Sequence, residues 1–350
     1  MNPAKFTQLL SLTAWAAWLA ACPIFAVAAQ NQPASQGDSG PTAQPKASPA
    51  QIVNRIEPEY TPEARAAGLQ GVVILFLIIN PSGELTDVRV IQSLGLGLDE
   101  KAVAAVRQWH FKAGMRDGIP DWSAQGVEIE FRLNAANSWL IRRAGYRLHQ
   151  SEKSAGPVSR PFLQSYSAPA ADACRSDGAT VVANLRISKE GKVESVNLAE
   201  QQGDSNGQAV VTAIQAWNFE PGKLARKAKE SSGRVEMECH TSAGGGAANS
   251  EEGETVYRVG PGISAPSIRY KIEPEYDERA RKAKFQGTAI LRVDVDASGH
   301  PRNIWILRML GMGLDERAAE AVYQWRFKPA AKDGRPVRLA CTVEVNFRLL

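Results

Sequence analysis

Three kinds of residue in this 350-residue chain have types that could do chemistry at first sight. The acidic pairs Glu57/Glu59 and Glu273/Glu275 could act as general acid and base, but each flanks a proline, Pro58 or Pro274, in an extended segment. Nothing around them builds a pocket that would set two carboxyls at different pKa values, so they read as solvated carboxylates. The string GDSG at residues 37–40 has the form found around a nucleophilic serine. It lies in a Pro-rich stretch with no strand, histidine or oxyanion hole to support one. His110, His149, His240 and His300 stand apart, without the paired spacing of a metal site. No G-x-x-x-x-G-K-[ST] or G-x-G-x-x-G loop is present. The chain therefore reads as a non-enzyme, with no catalytic residue, cofactor or metal.

Sulfur chemistry is the exception. The cysteines are Cys22, Cys174, Cys239 and Cys341, with no C-x-x-C pair to suggest zinc or thioredoxin-like redox work. Whether they pair depends on the compartment. After Lys5, residues 6–29 form an uncharged, mostly apolar run long enough to cross a bilayer. Three fates fit it: signal-peptide cleavage after Ala29, where AVAAQ offers small residues; retention as an inner-membrane anchor, since the run is longer than a usual signal core; or lipidation at Cys22, which ends LAAC. Each places the rest of the chain outside the cytoplasm, in the periplasm or cell envelope, where disulfides persist. The net charge of +4 is spread among acids, so no basic stripe for nucleic acid is seen.

The elements that must position these residues come from a repeat. RIEPEYTPEARAAGLQG (55–71) returns as KIEPEYDERARKAKFQG (271–287), and SLGLGLDEKAVAAVRQWHFK (93–112) as MLGMGLDERAAEAVYQWRFK (309–328). About 37 of some 82 gap-free positions are identical, far above chance. Gly83, Gly191 and Gly299 are 108 residues apart, as are Trp109, Trp217 and Trp325, and Phe111, Phe219 and Phe327. A diverged third copy, without the EPEY and GLD phrases, therefore stands between the outer two.

Each copy has one grammar. TAILRVDVD (288–296) alternates as a half-buried strand, and PSG, KEG and ASG supply hairpin turns. Asp99 and Asp315 precede apolar residues at helical spacing, Ala102, Ala105, Val106 and Trp109 in the first copy, and are expected as helix N-caps. VEIEFRL and VEVNFRL give the last strand. The fold class is α+β: three tandem β-β-α-β domains, each a small antiparallel sheet with one main helix, the tryptophans facing the sheet. The expected boundaries are an export segment at 1–29, a Pro/Ser/Gln-rich linker at 30–51, domain 1 at 52–134, a linker at 135–160, domain 2 at 161–240, a flexible linker at 241–266 and domain 3 at 267–350. Within 135–160, WLIRRAGYRL could dock on a neighbour as an amphipathic piece. Cys239 takes the register of Phe131 and Phe347, and Cys174 that of Ala66 and Lys282. A Cys174–Cys239 bridge is therefore expected to tie the short-helix region of the central copy to its last strand. Cys341 has no evident internal partner.

Pro58, Tyr60, Gly71, Gly83, Leu98, Asp99, Ala102, Trp109, Phe111, Gly118 and Phe131 recur as Pro274, Tyr276, Gly287, Gly299, Leu314, Asp315, Ala318, Trp325, Phe327, Gly334 and Phe347. In order and spacing this resembles the C-terminal domain of the TonB family along both outer copies; the central copy matches only from its strand to its W-x-F. The resemblance implies a periplasmic protein that binds outer-membrane TonB-dependent transporters. The last strand would capture an extended transporter peptide by strand addition, with force from an inner-membrane proton-driven motor. About five main-chain hydrogen bonds at roughly 0.5–1.5 kcal/mol each would give reversible affinity. On this sequence the contact strand is Thr342, Val343, Glu344, Val345, Asn346, Phe347 and Arg348 of the distal copy, at the end of the given sequence, with the central copy as a spacer. Two features depart from the family. Its membrane helix carries a histidine four residues after a serine, whereas Ser11 is followed there by Trp15. The spacer, about 22 residues, spans only about 70 Å when extended. Two readings follow: an energy transducer acting on outer-membrane receptors, or an exported scaffold of the same fold without force transmission.

Overall fold

Gly83, Gly191 and Gly299 close the first hairpin of each repeat with φ of 84°, 84° and 86°, a backbone that a side chain strains. A Cβ at any of them would run into the carbonyl oxygen of Phe111, Phe219 or Phe327. The turn thus lies directly on the strand carrying the W-x-F signal, which is why glycine and phenylalanine persist together at a 108-residue period. The three tryptophans are buried as their spacing predicts. Each donates its indole N–H to a carbonyl of the lead-in segment: Ile56 (2.8 Å), Ser167 (2.9 Å) and Ile272 (2.8 Å).

The structure, a computed structural model, describes residues 47–133, 135, 137–148, 158–241, 256–257 and 262–349. The apolar run at 6–29, the GDSG string and His149 lie outside the described residues. The first repeat comprises α1 (Pro62–Ala67), β1 (Gly71–Ile79), β2 (Leu85–Gln92), α2 (Leu98–Val106) and β3 (Ser123–Phe131). It is followed by β4 (Ser138–Leu148). The central segment has β5 (Thr180–Ile187), β6 (Val193–Gln202), α3 (Gly207–Gln215) and β7 (Ser231–His240), after a single 3-10 turn at Ala171–Ala173. The third has α4 (Glu278–Lys282), β8 (Gly287–Val295), β9 (Pro301–Arg308), α5 (Leu314–Tyr323) and β10 (Leu339–Phe347).

Rather than the separate tandem sheets expected from the sequence, the three segments share one. Its ten strands run in the order β6-β5-β7-β4-β1-β3-β9-β8-β10, with β2 beside β1. This explains GVVILFLII in β1, which is apolar at nearly every position where its counterpart β8 alternates. Val73, Leu75 and Leu77 pack in the cluster that holds Leu98, Ala102 and Val106 of α2. Val72, Ile74 and Phe76, on the other face, join the cluster built on Ala319 and Tyr323 of α5. A strand covered on both faces has no polar side to show.

Three expectations are corrected. Residues 135–160 hold β4, which pairs antiparallel with β7 from Ser231↔Leu148 to His240↔Ser138. Trp139, Ile141, Ala144 and Tyr146 enter the core and Leu148 is buried, but the register shifts between Glu236 and Met237, leaving Arg142 as an extra residue. That bulge breaks the two-residue alternation and disguises the strand in the sequence. The linker at 30–51 gives way to structure before its end: Ala47–Ser48 pairs with Met115 and Arg116, and the N–H and C=O of Ala50 are held by Ser123 Oγ (3.1 Å) and Gln125 Nε2 (3.3 Å). Asp99 and Asp315 are not N-caps. Gly97 and Gly313 hold that position with φ of 77° and 79°. The Asp99 carboxylate turns back to accept from the N–H groups of Leu94 (2.9 Å) and Gly95 (3.1 Å) and from Ser93 Oγ (2.6 Å). Asp315 accepts from Leu310 (2.8 Å) and Gly311 (2.7 Å). Each aspartate pins the loop that enters its helix, and burial raises its pKa despite these donors.

The central segment solves one packing problem differently. In the outer repeats the lead-in tyrosine meets the last-strand phenylalanine edge-on, Tyr60 on Phe131 and Tyr276 on Phe347, both with centroids 5.5 Å apart. Cys239 holds the phenylalanine's place in β7 and is joined to Cys174, with a Cα–Cα distance of 5.4 Å and a sequence separation of 65. A covalent tie stands where the ring contact would be. Replacing both cysteines by serine is expected to lower stability by about 3–4 kcal/mol. Urea unfolding of the two proteins measures this, and equal midpoints would refute it.

Candidate functional site

β10 lies at one end of the sheet. Its inner side pairs with β8 from Leu339↔Val295 to Phe347↔Gly287. On its outer side Tyr257 takes the first two groups: its N–H donates to Arg338 O (2.9 Å) and its carbonyl accepts from Ala340 N–H (3.0 Å). Strand alternation turns the N–H and C=O groups of Thr342, Glu344 and Asn346 the same way. Among the described residues these six groups have no main-chain partner. Val343 and Val345 face the core cluster under α5, while Thr342, Glu344 and Asn346 are exposed. Arg348 lies just beyond the strand. Cys341 is a free, half-buried thiol whose pKa burial pushes up to about 11.

The equivalent edges of the other two segments are taken. β4 covers β7 along its whole length, and β9 adds to β3 through the pair Trp305↔Gln125. These joints are charged as well as hydrogen-bonded. Glu128 on β3 meets Arg302 Nη1 (2.5 Å) and the buried Arg143 Nη2 (3.0 Å); Glu236 on β7 meets His300 Nε2 (2.5 Å) and Arg326. Burial alone would raise the Glu128 carboxyl, but Arg143, Arg302 and Arg142 hold it below its ordinary range. Sequence reasoning missed this cluster. Its signal was the V-E-x motif, which places a glutamate at 128, 236 and 344.

The other candidates for chemistry stay apart. Glu59 pairs with Lys101 (2.7 Å), whose ammonium holds its carboxyl below the usual range, and Glu275 pairs with Arg160 (2.9 Å). Among the described residues no three His, Cys, Asp or Glu side chains gather as a metal site. A cleft of about 300 Å³ is lined by Arg147, Asn184, Arg186, Arg234 and Tyr270. Its arginines are engaged: Arg234 with Glu200 (3.1 Å) and over the Tyr270 ring (4.6 Å), Arg186 with Glu230 (3.4 Å) and Arg147 with the Glu273 carbonyl (2.7 Å).

The comparisons bear on the outer repeats. The family model described as the Gram-negative bacterial TonB protein C-terminal matches residues 56–133 and 272–349. The chain is similar to "Protein TonB" of Vibrio cholerae, 32% identical over 83 residues, covering 23% of this chain and 34% of the relative. It is 36% identical over 77 residues to "Protein tonB2" of Pseudomonas aeruginosa, covering 22% of this chain and 28% of the relative. It is 37% identical over 82 residues to "Protein TonB" of Xanthomonas campestris pv. campestris, covering 23% and 37%. The aligned stretch spans about a third of the length of these curated relatives. The family's C-terminal domain is thus matched twice, once on each outer repeat of the α+β fold, and the matches support the TonB family for these two repeats.

Proposed function

We propose that this chain is an exported, periplasmic TonB-like protein whose third repeat binds an extended peptide of an outer-membrane TonB-dependent transporter, by strand addition to β10, in support of energy-dependent transport. The central segment is, in this reading, a diverged third TonB-like domain that serves as a spacer. One observation carries the proposal: of the three equivalent last strands, β10 alone keeps its outer edge unpaired from Thr342 to Asn346 among the described residues. Six main-chain groups at roughly 0.5–1.5 kcal/mol each support a reversible complex. Proline at position 342 would remove an outward N–H and leave the β8 ladder intact. Full-length protein used as bait on solubilised outer membranes is expected to retrieve TonB-dependent transporters, and Thr342→Pro is expected to lose them. Retrieval that is absent, or indifferent to Thr342→Pro, would overturn the proposal.

A second reading, an exported scaffold that transmits no force, is favoured by Trp15, which stands four residues after Ser11 where the resemblance leads one to expect a histidine. N-terminal sequencing of the mature protein separates the two. Cleavage after Ala29 would remove the segment needed for direct coupling to an inner-membrane motor, and retention would keep the transducer reading.

A further inference from the structure

The three last strands carry a glutamate at one register: Glu128 in β3, Glu236 in β7 and Glu344 in β10, spaced by 108 residues. On both edges that the chain itself occupies, the added strand brings an arginine to that position. In the β4–β7 ladder Arg143 stands across from Glu236 in register, although its guanidinium bonds Glu128 and Glu236 is held by His300 and Arg326. In the β9–β3 joint, three residues along from Trp305↔Gln125, Arg302 reaches Glu128 at 2.5 Å. Both added strands run antiparallel to the strand they join. β4 also shows what flanks the arginine. Ala144 and Ile141 lie across from Val235 and Met237, the register equivalents of Val343 and Val345. Glu344 is exposed, makes no ion pair among the described residues, and has only Ile290 across the ladder on its inner side.

We infer that Glu344 reads a basic side chain of the incoming partner: β10 receives an extended, antiparallel peptide that sets Arg or Lys across from Glu344, with apolar residues opposite Val343 and Val345. The inference rests on the strand-addition reading above and adds the partner's chemistry to it. An acidic edge residue beside an unpaired ladder accepts a charge-assisted hydrogen bond from a cation on the neighbouring strand and repels an acid in the same place. The β9–β3 joint is the precedent for the ion pair, and the β4–β7 ladder for an arginine at that register.

The probes are an eleven-residue peptide of the β4 sequence, SWLIRRAGYRL, and its version with glutamate in place of the residue corresponding to Arg143. Binding to the full-length protein is followed by fluorescence titration, and its place by slowed hydrogen exchange of the Thr342, Glu344 and Asn346 amides. The arginine peptide is expected to protect these amides, the glutamate version to bind about fivefold or more weakly, and Glu344→Lys to reverse the preference. Protection of the amides with the same preference in the wild type and Glu344→Lys would overturn the inference and leave strand addition standing. If neither peptide protects them, strand addition fails and the inference falls with it.

Discussion

Arg143→Ala is expected to destabilise the protein by about 3–5 kcal/mol, far more than the loss of an exposed ion pair. Arg143 is buried at 3% exposure in β4, yet it touches all its surroundings through one guanidinium. Nη2 donates to Glu128 (3.0 Å) in the first repeat and to the Pro301 carbonyl (3.1 Å) in the third, Nη1 to the Arg142 carbonyl (2.8 Å), and the group lies 5.8 Å from the Tyr323 ring centroid. Truncation would leave Glu128 buried with one cation fewer and orphan a buried carbonyl. Arg143→Met combined with Glu128→Leu removes both charges and is expected to recover much of the loss.

The same cluster sets an acid limit. Burial would raise the carboxyls of Glu128 and Asp296, but Arg143 and Arg302 beside the first, and His300 and Arg302 beside the second, depress both below their ordinary values. A depressed carboxyl contributes stability that is present above its unfolded pKa and lost as pH falls through the folded one. The wild type should therefore weaken as pH drops below about 4, and Arg143→Ala should weaken less steeply. Urea midpoints at pH 7 and pH 3 measure both effects. A loss under about 1 kcal/mol for Arg143→Ala, or an unchanged acid slope, would sink the argument.

The residues that made the fold legible are those whose role is local and repeated. The hairpin glycine meets the W-x-F strand, and the tryptophan of that strand holds the lead-in segment, all within a repeat, so a period of 108 residues exposes them even where most of the sequence has changed. What stayed hidden depends on contacts between repeats. β4 carries a bulge at Arg142 that spoils its alternation, and its partner strand lies about 90 residues further along. The unbroken apolar run of β1 was a readable sign of a second buried face, but not of α5 as its cover. Asp99 shows a limit of local rules: the residue type and place suit a cap, yet the preceding glycine in a left-handed conformation turns its carboxylate back onto the loop. That β10 is the last strand of its repeat could be read from the match of VEVNFRL to VEIEFRL. The glutamate that marks it gained meaning only when its two counterparts were seen facing arginines.

Trp325→Ala is expected to cost about 3–5 kcal/mol, the transfer loss of a large buried ring together with the cavity it leaves. Trp325 is 1% exposed, packs against Phe327 with centroids 6.1 Å apart, and lies under the Lys271 ammonium at 5.5 Å. Its indole N–H also holds the Ile272 carbonyl, in the lead-in segment just after the short strand Ser267–Tyr270. Trp325→Phe keeps much of the packing and loses that hydrogen bond, so about 1–2 kcal/mol is expected. The consequence for binding should differ between repeats. Phe327 and α5 lie beneath β8 and β10, so loosening this core disturbs the open edge, whereas Trp109→Ala loosens the support of β3, whose edge β9 already occupies. Both alanine variants should unfold at lower urea concentration, but at temperatures where each stays folded only Trp325→Ala should weaken capture of a peptide at Thr342, Glu344 and Asn346. Equal weakening by both variants would mean that the distal edge is not where the peptide binds.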